Sequence, residues 1–398
     1  MIPVICFYFE VHQPIRLKKF SVFSIGSSGN PFDLYFDHTL NQEIFERAAR
    51  KCYIPTNRLL RDLACEFSDS FNVSFSMSGT FLECCEIFAP EVIESFHSLL
   101  DTGRADLLCE TYYHSLAGLF NDLSEFEIQV RHHREVIKKE FNFDPVVFTN
   151  TETIYDNRIA EMIGRLGFQG IVAEGAEKIL GWRSPNYLYR SVGPHSICVL
   201  TRNYRLSDDI AFRFSAHDWI EYPLTAEKFA RWIASSDGEL VNIFIDYETF
   251  GEHQWPETGI FEFLEHLPQE ILRAPGGGFV TVSEAIKRFK PVGEIDVPTT
   301  ISWADTQRDI STWLGNGMQI ACFKELQEIG KTLKEKGDDD LLRIWRMLQT
   351  SDHLYYISTK GLADGTVHKY FSPYLSPYDA FINFMNILQD LKQRALRS

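Results

Sequence analysis

The sequence predicts an α/β protein, an incomplete (β/α)7 barrel over residues 1–290 followed by a C-terminal helical bundle over residues 291–398. Seven short, β-rich apolar runs alternate with longer helical stretches. The runs are almost continuously apolar, as strands covered on both faces are. After Thr306 the pattern becomes almost wholly helical.

The strand-like runs are Val4–Phe9, Asn72–Met77, Ala105–Cys109, Pro145–Thr149, Gly170–Ala173, Ser196–Leu200 and Val241–Ile245. Strands that alternate with helices in this way fit a barrel better than an open sheet. Phe88–Leu100 and Ser124–Phe141 carry apolar residues at three- and four-residue steps. Ser124 and Glu127 predict a capping box. Asn157–Leu166 stops at Gly167, a helix-ending residue. Ala274–Gly278 reads as a loop, Thr281–Phe289 as the last helix of the ring, and Lys290–Pro298 as a boundary. Met318–Lys336, Asp339–Leu354 and Pro377–Leu396 then form the bundle. The sequence carries no internal repeat, low-complexity tract or heptad pattern.

Composition narrows the function. The chain has 398 residues with 39 Lys+Arg and 55 Asp+Glu, a net charge of 39 − 55 = −16. At 44% apolar and 24% charged residues it is globular and not disordered. Its longest basic run, Arg16–Lys19, is too short for a phosphate backbone, so neither nucleic acid nor an anionic membrane is expected as a partner. No uncharged stretch reaches membrane-spanning length. Glu10 and His12 arrive too early for a secretion signal. The eight cysteines lack a CxxC pair and read as reduced core thiols, so a cytoplasmic location is expected.

In a barrel of this kind, chemistry sits where strands end. Four polar clusters follow directly on apolar runs: Glu10–Pro14, Glu110–His114, Asn150–Glu152 and Asp246–His253. Converging, they build a cavity rich in carboxylates, imidazoles and aromatic rings. No glycine-rich phosphate loop is present. Paired carboxylates are what glycosidic cleavage needs: one attacks the anomeric carbon, the other shuttles a proton. Each residue also has a plain structural use. Glu152 suits the N-terminus of the helix that follows. His12, Glu110 and His114 suit a buried hydrogen-bond network. Tryptophans are mostly core, Trp255 beside the acidic loop being the best exception, and Asp352-His353 suits a structural ion pair. His12, Asp246 and His253 make a competing metal site, although no HExxH is present.

Taken together, the clusters resemble glycoside hydrolase family 57 over nearly the whole chain. The family's regions fall in order on His12-Gln13-Pro14, on Gly103–Leu108 leading into Glu110–His114, on Phe148–Glu152, on Asp246–His253 and on Thr281–Ile286. Ser302–Asp305, Trp313–Asn316 and Ser351–Tyr356 look like its α-amylase-type branch. The resemblance implies a (β/α)7 barrel plus helical domain acting on α-glucans with retention. It puts the nucleophile on Glu152 and the acid/base on Asp246. It implies that His12 and Glu248 line the sugar site and that the helical domain contributes Asp352. Asp106 departs from the family's usual glutamate. Thr151-Glu152-Thr153 lacks the aromatic and arginine neighbours of the glucanotransferase branch.

The expectation is therefore a retaining α-amylase that cleaves α-1,4 bonds of an α-glucan or maltooligosaccharide. Glu152 and Asp246 are the catalytic pair, with carboxyls about 5–5.5 Å apart. His12, Glu110, His114, Glu248, Trp255 and Asp352 are the substrate-binding residues. The chemistry requires no metal or cofactor. The alternatives are a 4-α-glucanotransferase on the same site, a non-catalytic α-glucan-binding homologue, and a metal-dependent deacetylase or mannosidase on a related barrel.

Overall fold

The computed structural model describes residues 2–360 and 372–397. Strand β1 (Val4–Val11) lies between β2 (Val73–Met77) and β8 (Leu240–Asp246), with β3 (Ala105–Leu107) beyond β2. All these pairings are parallel. A second sheet has the order β4 (Val147–Phe148), β5 (Gly170–Glu174), β7 (Cys198–Arg202), β6 (Leu188–Ser191) and β9 (Glu294–Ile295). Here β4, β5 and β7 are parallel, and β6 runs antiparallel to β7. The sheets meet where Cys109, just past β3, bridges Phe148 of β4. On the far side Asn203 N–H donates to the Asn242 carbonyl at 2.8 Å, and Arg202 Nε to that of Phe244 at 2.7 Å.

All seven predicted strands are present. β1 shows why their sequences are apolar throughout. Val4, Cys6 and Tyr8 pack inward against Val147, Val172, Leu200, Leu240 and Phe244. Ile5, Phe7, Phe9 and Val11 pack outward against the helices at Ile54–Phe67 and Pro90–Leu100. Both faces are dry, so neither admits a polar residue until the strand ends.

Some expectations need correction. The helix expected over Phe88–Leu100 begins at Pro90, which opens it with no N–H to give, and Phe88 instead ends a separate helix, Gly79–Phe88. The Ser124–Glu127 capping box does not form. Ser124 lies inside the first turn, and its hydroxyl donates to Asp122 at 2.7 Å. Asp339–Leu354 divides into Asp339–Met347 and Ser351–Tyr355. Between them Leu116 N–H donates to Gln349 O at 3.2 Å and Ser351 N–H to His114 O at 3.0 Å. β6 and β9 were not expected. Six of the eight free cysteines are buried; Cys65 is exposed and Cys198 is half-buried. No helix among the described residues is long and apolar enough to cross a membrane.

The long helices Gly317–Lys336 and Pro377–Arg397 pack on one another and on Trp345. Their apolar residues share one core with Tyr113, Leu116, Phe120 and Phe148 from the sheet side. Gly330 lets the indole of Trp345 close on the helix: a Cβ there would lie 2.1 Å from a ring carbon. Gly330→Ala is expected to cost about 1–3 kcal/mol by overpacking. Thermal melting checks this, and an unchanged midpoint contradicts the close contact.

Candidate active site

Parallel pairing brings the strand ends level. Glu10 is the register partner of both Ser76 and Asp246. Glu10 is also in phase with Val4, Cys6 and Tyr8, and Asp246 with Leu240 and Phe244, so both face inward at the carboxyl end. There a cavity of about 550 Å³ opens, lined by Glu10, His12, His114, Glu152, Arg202, Asp246, Glu248 and His253. Trp303, Trp313, Asp352 and Tyr356 line it from the C-terminal half of the chain.

His114 is the hub. Its Nδ1 is 3.0 Å from Glu110 Oε2, and its Nε2 is 3.3 Å from Glu10 Oε1 and 3.7 Å from Glu152 Oε1. Burial alone would lower its pKa. The hydrogen bonds to Glu110 and Glu152 and the charges of Glu10 and Glu110 reverse that and hold the ring well above its usual value. These surroundings favour the protonated ring. His12 stacks on it at 3.9 Å. Burial and the charge of His114 keep His12 below its usual pKa. A neutral His12 fits its contacts: Nδ1 accepts from the Ser78 hydroxyl at 2.7 Å and Nε2–H donates to Asp352 at 3.0 Å. Asp352 is half-buried, and the His12 bond and the charges around it hold its carboxyl well below the usual range.

Three other carboxyls go the opposite way. Burial pushes Asp246 up to about 7, helped by the charge of Glu152 and opposed by Arg202 and His114. Burial pushes Glu248 up to about 8, against a 2.6 Å hydrogen bond from the Tyr53 hydroxyl. Burial also drives Glu10 well above its usual range, opposed by His114 and reinforced by Glu152, Glu110 and Asp246. His253 is pushed down to about 4 by burial. The site therefore holds acids and bases of very different strength side by side.

Glu152 has a constrained backbone. It sits at φ 55°, ψ 29°, in the left-handed region, and Thr153 and His114 also have positive φ. Such conformations persist where the surroundings over-determine them. Its Oε2 accepts from the Trp303 indole N–H at 2.8 Å, and its Oε1 lies 3.5 Å from the Ser351 hydroxyl.

Of the residues singled out from sequence, Glu152, Asp246, His12, His114, Glu248 and Asp352 line the one cavity. Glu110 does not line it; it is buried beneath, holding His114. Trp255 lies outside the lining, 52% exposed, with Lys51 over its ring at 5.6 Å. Among the lining residues that the sequence-based assignment of site residues left out are Glu10, Arg202 and Trp303. Glu10 was detectable from its inward phase in β1. Arg202 ends β7 two residues past the predicted strand, where a cation closing an apolar run is itself a signal. Trp303 carried no spacing signal, because a distant pairing delivers it.

Carboxylates of contrasting strength in a polar cleft, at the carboxyl ends of parallel strands, define a hydrolase-type site. The sequence comparisons agree. The profile described as "Glycosyl hydrolase family 57" matches residues 6–298. A Methanocaldococcus jannaschii protein named "Putative alpha-amylase" is 50% identical over 400 residues, covering 98% of this chain and 84% of that protein. The chain belongs to glycoside hydrolase family 57. In fold it resembles a GH57 branching enzyme from Thermococcus kodakaraensis, with TM-score 0.68 and 13% identity over 93% of this chain and 87% of that one. It also resembles the 4-alpha-glucanotransferase from Thermococcus litoralis, with TM-score 0.59 and 18% identity over 93% of this chain. This chain spans only 54% of the length of that glucanotransferase.

The raised pKa of Asp246 has a consequence for stability. Unfolded, the group ionises near 3.8; folded, near 7. Between these values the unfolded state binds fewer protons, so rising pH disfavours the native state. Asp246→Asn lacks this penalty. Its melting temperature relative to wild type should climb from pH 4 to pH 7 and then level off. A pH-independent difference contradicts the burial argument.

Proposed function

We propose that the protein is a retaining α-glucan hydrolase of α-amylase type that cleaves α-1,4-glucosidic bonds by double displacement. On this reading residues 1–290 form the (β/α)7 barrel, and the helical domain of residues 291–398 completes the cleft. The observation that carries the proposal is the placement of Glu152 and Asp246 on one cavity, with Asp246 raised to about 7 partly by the charge of Glu152.

A carboxylate oxygen of Glu152 attacks the anomeric carbon. The bond from that carbon to the leaving oxygen breaks, and the Asp246 proton goes to that oxygen. Glu152 is now a neutral ester, and the charge that raised Asp246 has gone. Asp246 is left a carboxylate of lower pKa, suited to act as base. It takes a proton from water as the water oxygen bonds to the anomeric carbon. The ester bond breaks, and Glu152 and Asp246 regain their starting states. His12, Glu248 and Asp352 fit as sugar-hydroxyl partners. Glu110 fits as support for His114 and not as a direct contact. The exposed position of Trp255 suits it, at most, to a sugar unit far from the bond that breaks.

Asp246→Asn should lower turnover of maltoheptaose about 10²- to 10⁴-fold, and Glu152→Gln should lower it by orders of magnitude, both with circular dichroism unchanged. Near-normal cleavage by either variant removes the mechanism. In the wild type kcat/KM should fall as pH rises through about 7, because the acid must be protonated, and Asp246→Asn should lack that limb. A product profile on maltooligosaccharides of defined length separates the two activities. Only shorter chains mean hydrolysis; chains longer than the input reassign the protein as a 4-α-glucanotransferase.

A further inference from the structure

The geometry points to Trp303 as the positioning residue for Glu152: its indole N–H holds one carboxylate oxygen so that the other is the one that attacks. This rests on the reading of Glu152 as nucleophile and adds to it which oxygen reacts and what orients it.

Trp303 comes to Glu152 by strand-like pairing across some 150 residues of chain. Tyr155 N–H donates to Ile301 O and Ile301 N–H to Tyr155 O, both at 2.9 Å. This sets the register of the next residues. The Ser302 hydroxyl then donates to the Glu152 carbonyl at 2.9 Å. Trp303 N–H reaches both that carbonyl, at 3.3 Å, and Thr153 Oγ1, at 3.0 Å. These bonds pin the left-handed turn at Glu152 and Thr153 from outside it. The indole completes the clamp with its 2.8 Å bond to Oε2.

The two carboxylate oxygens are thereby made different. Oε2 has a close, directed donor. Oε1 has only the Ser351 hydroxyl at 3.5 Å and His114 Nε2 at 3.7 Å, so its lone pairs are less committed. Oε1 is the oxygen that bonds to the anomeric carbon. Oε2 then becomes the ester carbonyl, still facing the N–H. As the ester cleaves, charge returns to the carboxylate, and the same N–H stabilises it without reorganisation. The face of the indole meanwhile carries the Arg202 guanidinium at 5.4 Å, the cation that opposes the raised pKa of Asp246. One ring thus touches the nucleophile by its edge and the acid's neighbouring cation by its face.

The test replaces Trp303 in the full-length enzyme and measures cleavage of maltoheptaose. Trp303→Phe removes the N–H. Incorporating 3-benzothienylalanine at position 303 keeps the bicyclic shape and puts sulfur where the N–H was. Both should lower kcat about 10- to 100-fold, the range for losing a hydrogen bond to a charged group. KM should stay within about twofold, since bound sugar does not need this N–H. A kcat within about threefold of wild type in the benzothienyl variant overturns the inference. So does a raised KM with unchanged kcat, which would make the ring a sugar platform. The underlying reading is tested separately with Glu152→Gly, an activated α-glucosyl fluoride and azide. Formation of the β-glucosyl azide supports Glu152 as nucleophile whatever Trp303 does. Full activity of Glu152→Gly without azide removes that role, and the inference with it.

Discussion

The site depends on compensating carboxylates in a place with little water. Glu10, Glu110, Glu152, Asp246, Glu248 and Asp352 crowd one end of the strands. Such acids are costly unless paired or neutral. Two of the buried basic groups there, His114 and Arg202, lie beside most of them. The His114 ring serves Glu110, Glu10 and Glu152. The Arg202 guanidinium, tied to Glu174 at 3.2 Å and Asp208 at 2.6 Å, serves the side where Asp246 stands. Burial raises Asp246 and Glu248 to about 7 and 8, and it raises Glu10 as well although His114 lies beside it. Acid strength is graded here by burial first and by the placement of positive charge second.

That grading needs both halves of the chain. The strand ends supply Glu10, Asp246 and Glu248, and the loop after β4 supplies Glu152. The C-terminal half supplies the groups that finish them: Trp303 on Glu152 and Asp352 on His12. The break between the helices Asp339–Met347 and Ser351–Tyr355 matters for this reason. Residues 348–350 leave the helix to pair with the loop after β3, and the next helical turn enters the cavity wall. A continuous helix would carry Asp352 past it. The shared apolar core fixes this docking.

The strands were legible because burial on both faces leaves a plain mark, a mostly apolar run in which polar residues such as Ser74, Ser76 and Asn242 are few. The same mark located the site, since polar residues just past several runs, Glu10, Glu152 and Asp246 among them, line the cavity. Most named site residues came from that rule and from the family resemblance. Most failures share a cause. Trp255 adjoins an acidic loop in sequence, but its ring turns outward. Trp303 reaches Glu152 only because Ile301 pairs with Tyr155, a contact no local pattern encodes. The strand β6 pairs antiparallel with β7 and carries an exposed arginine at position 190, so its pattern is short and mixed. Of the two helix breaks, the one at Pro90 is marked by the proline itself, and the one at residues 348–350 is made by tertiary hydrogen bonds that no local composition shows.

The central claim is that Glu152 forms a bond to the sugar carbon while Asp246 manages the proton. Proton NMR of the first-formed product from maltoheptaose, followed before mutarotation, tests it most directly. The account predicts the α-anomer of the newly exposed reducing end, from two inversions. Initial appearance of the β-anomer would mean one direct displacement by water, and no role for Glu152 as nucleophile.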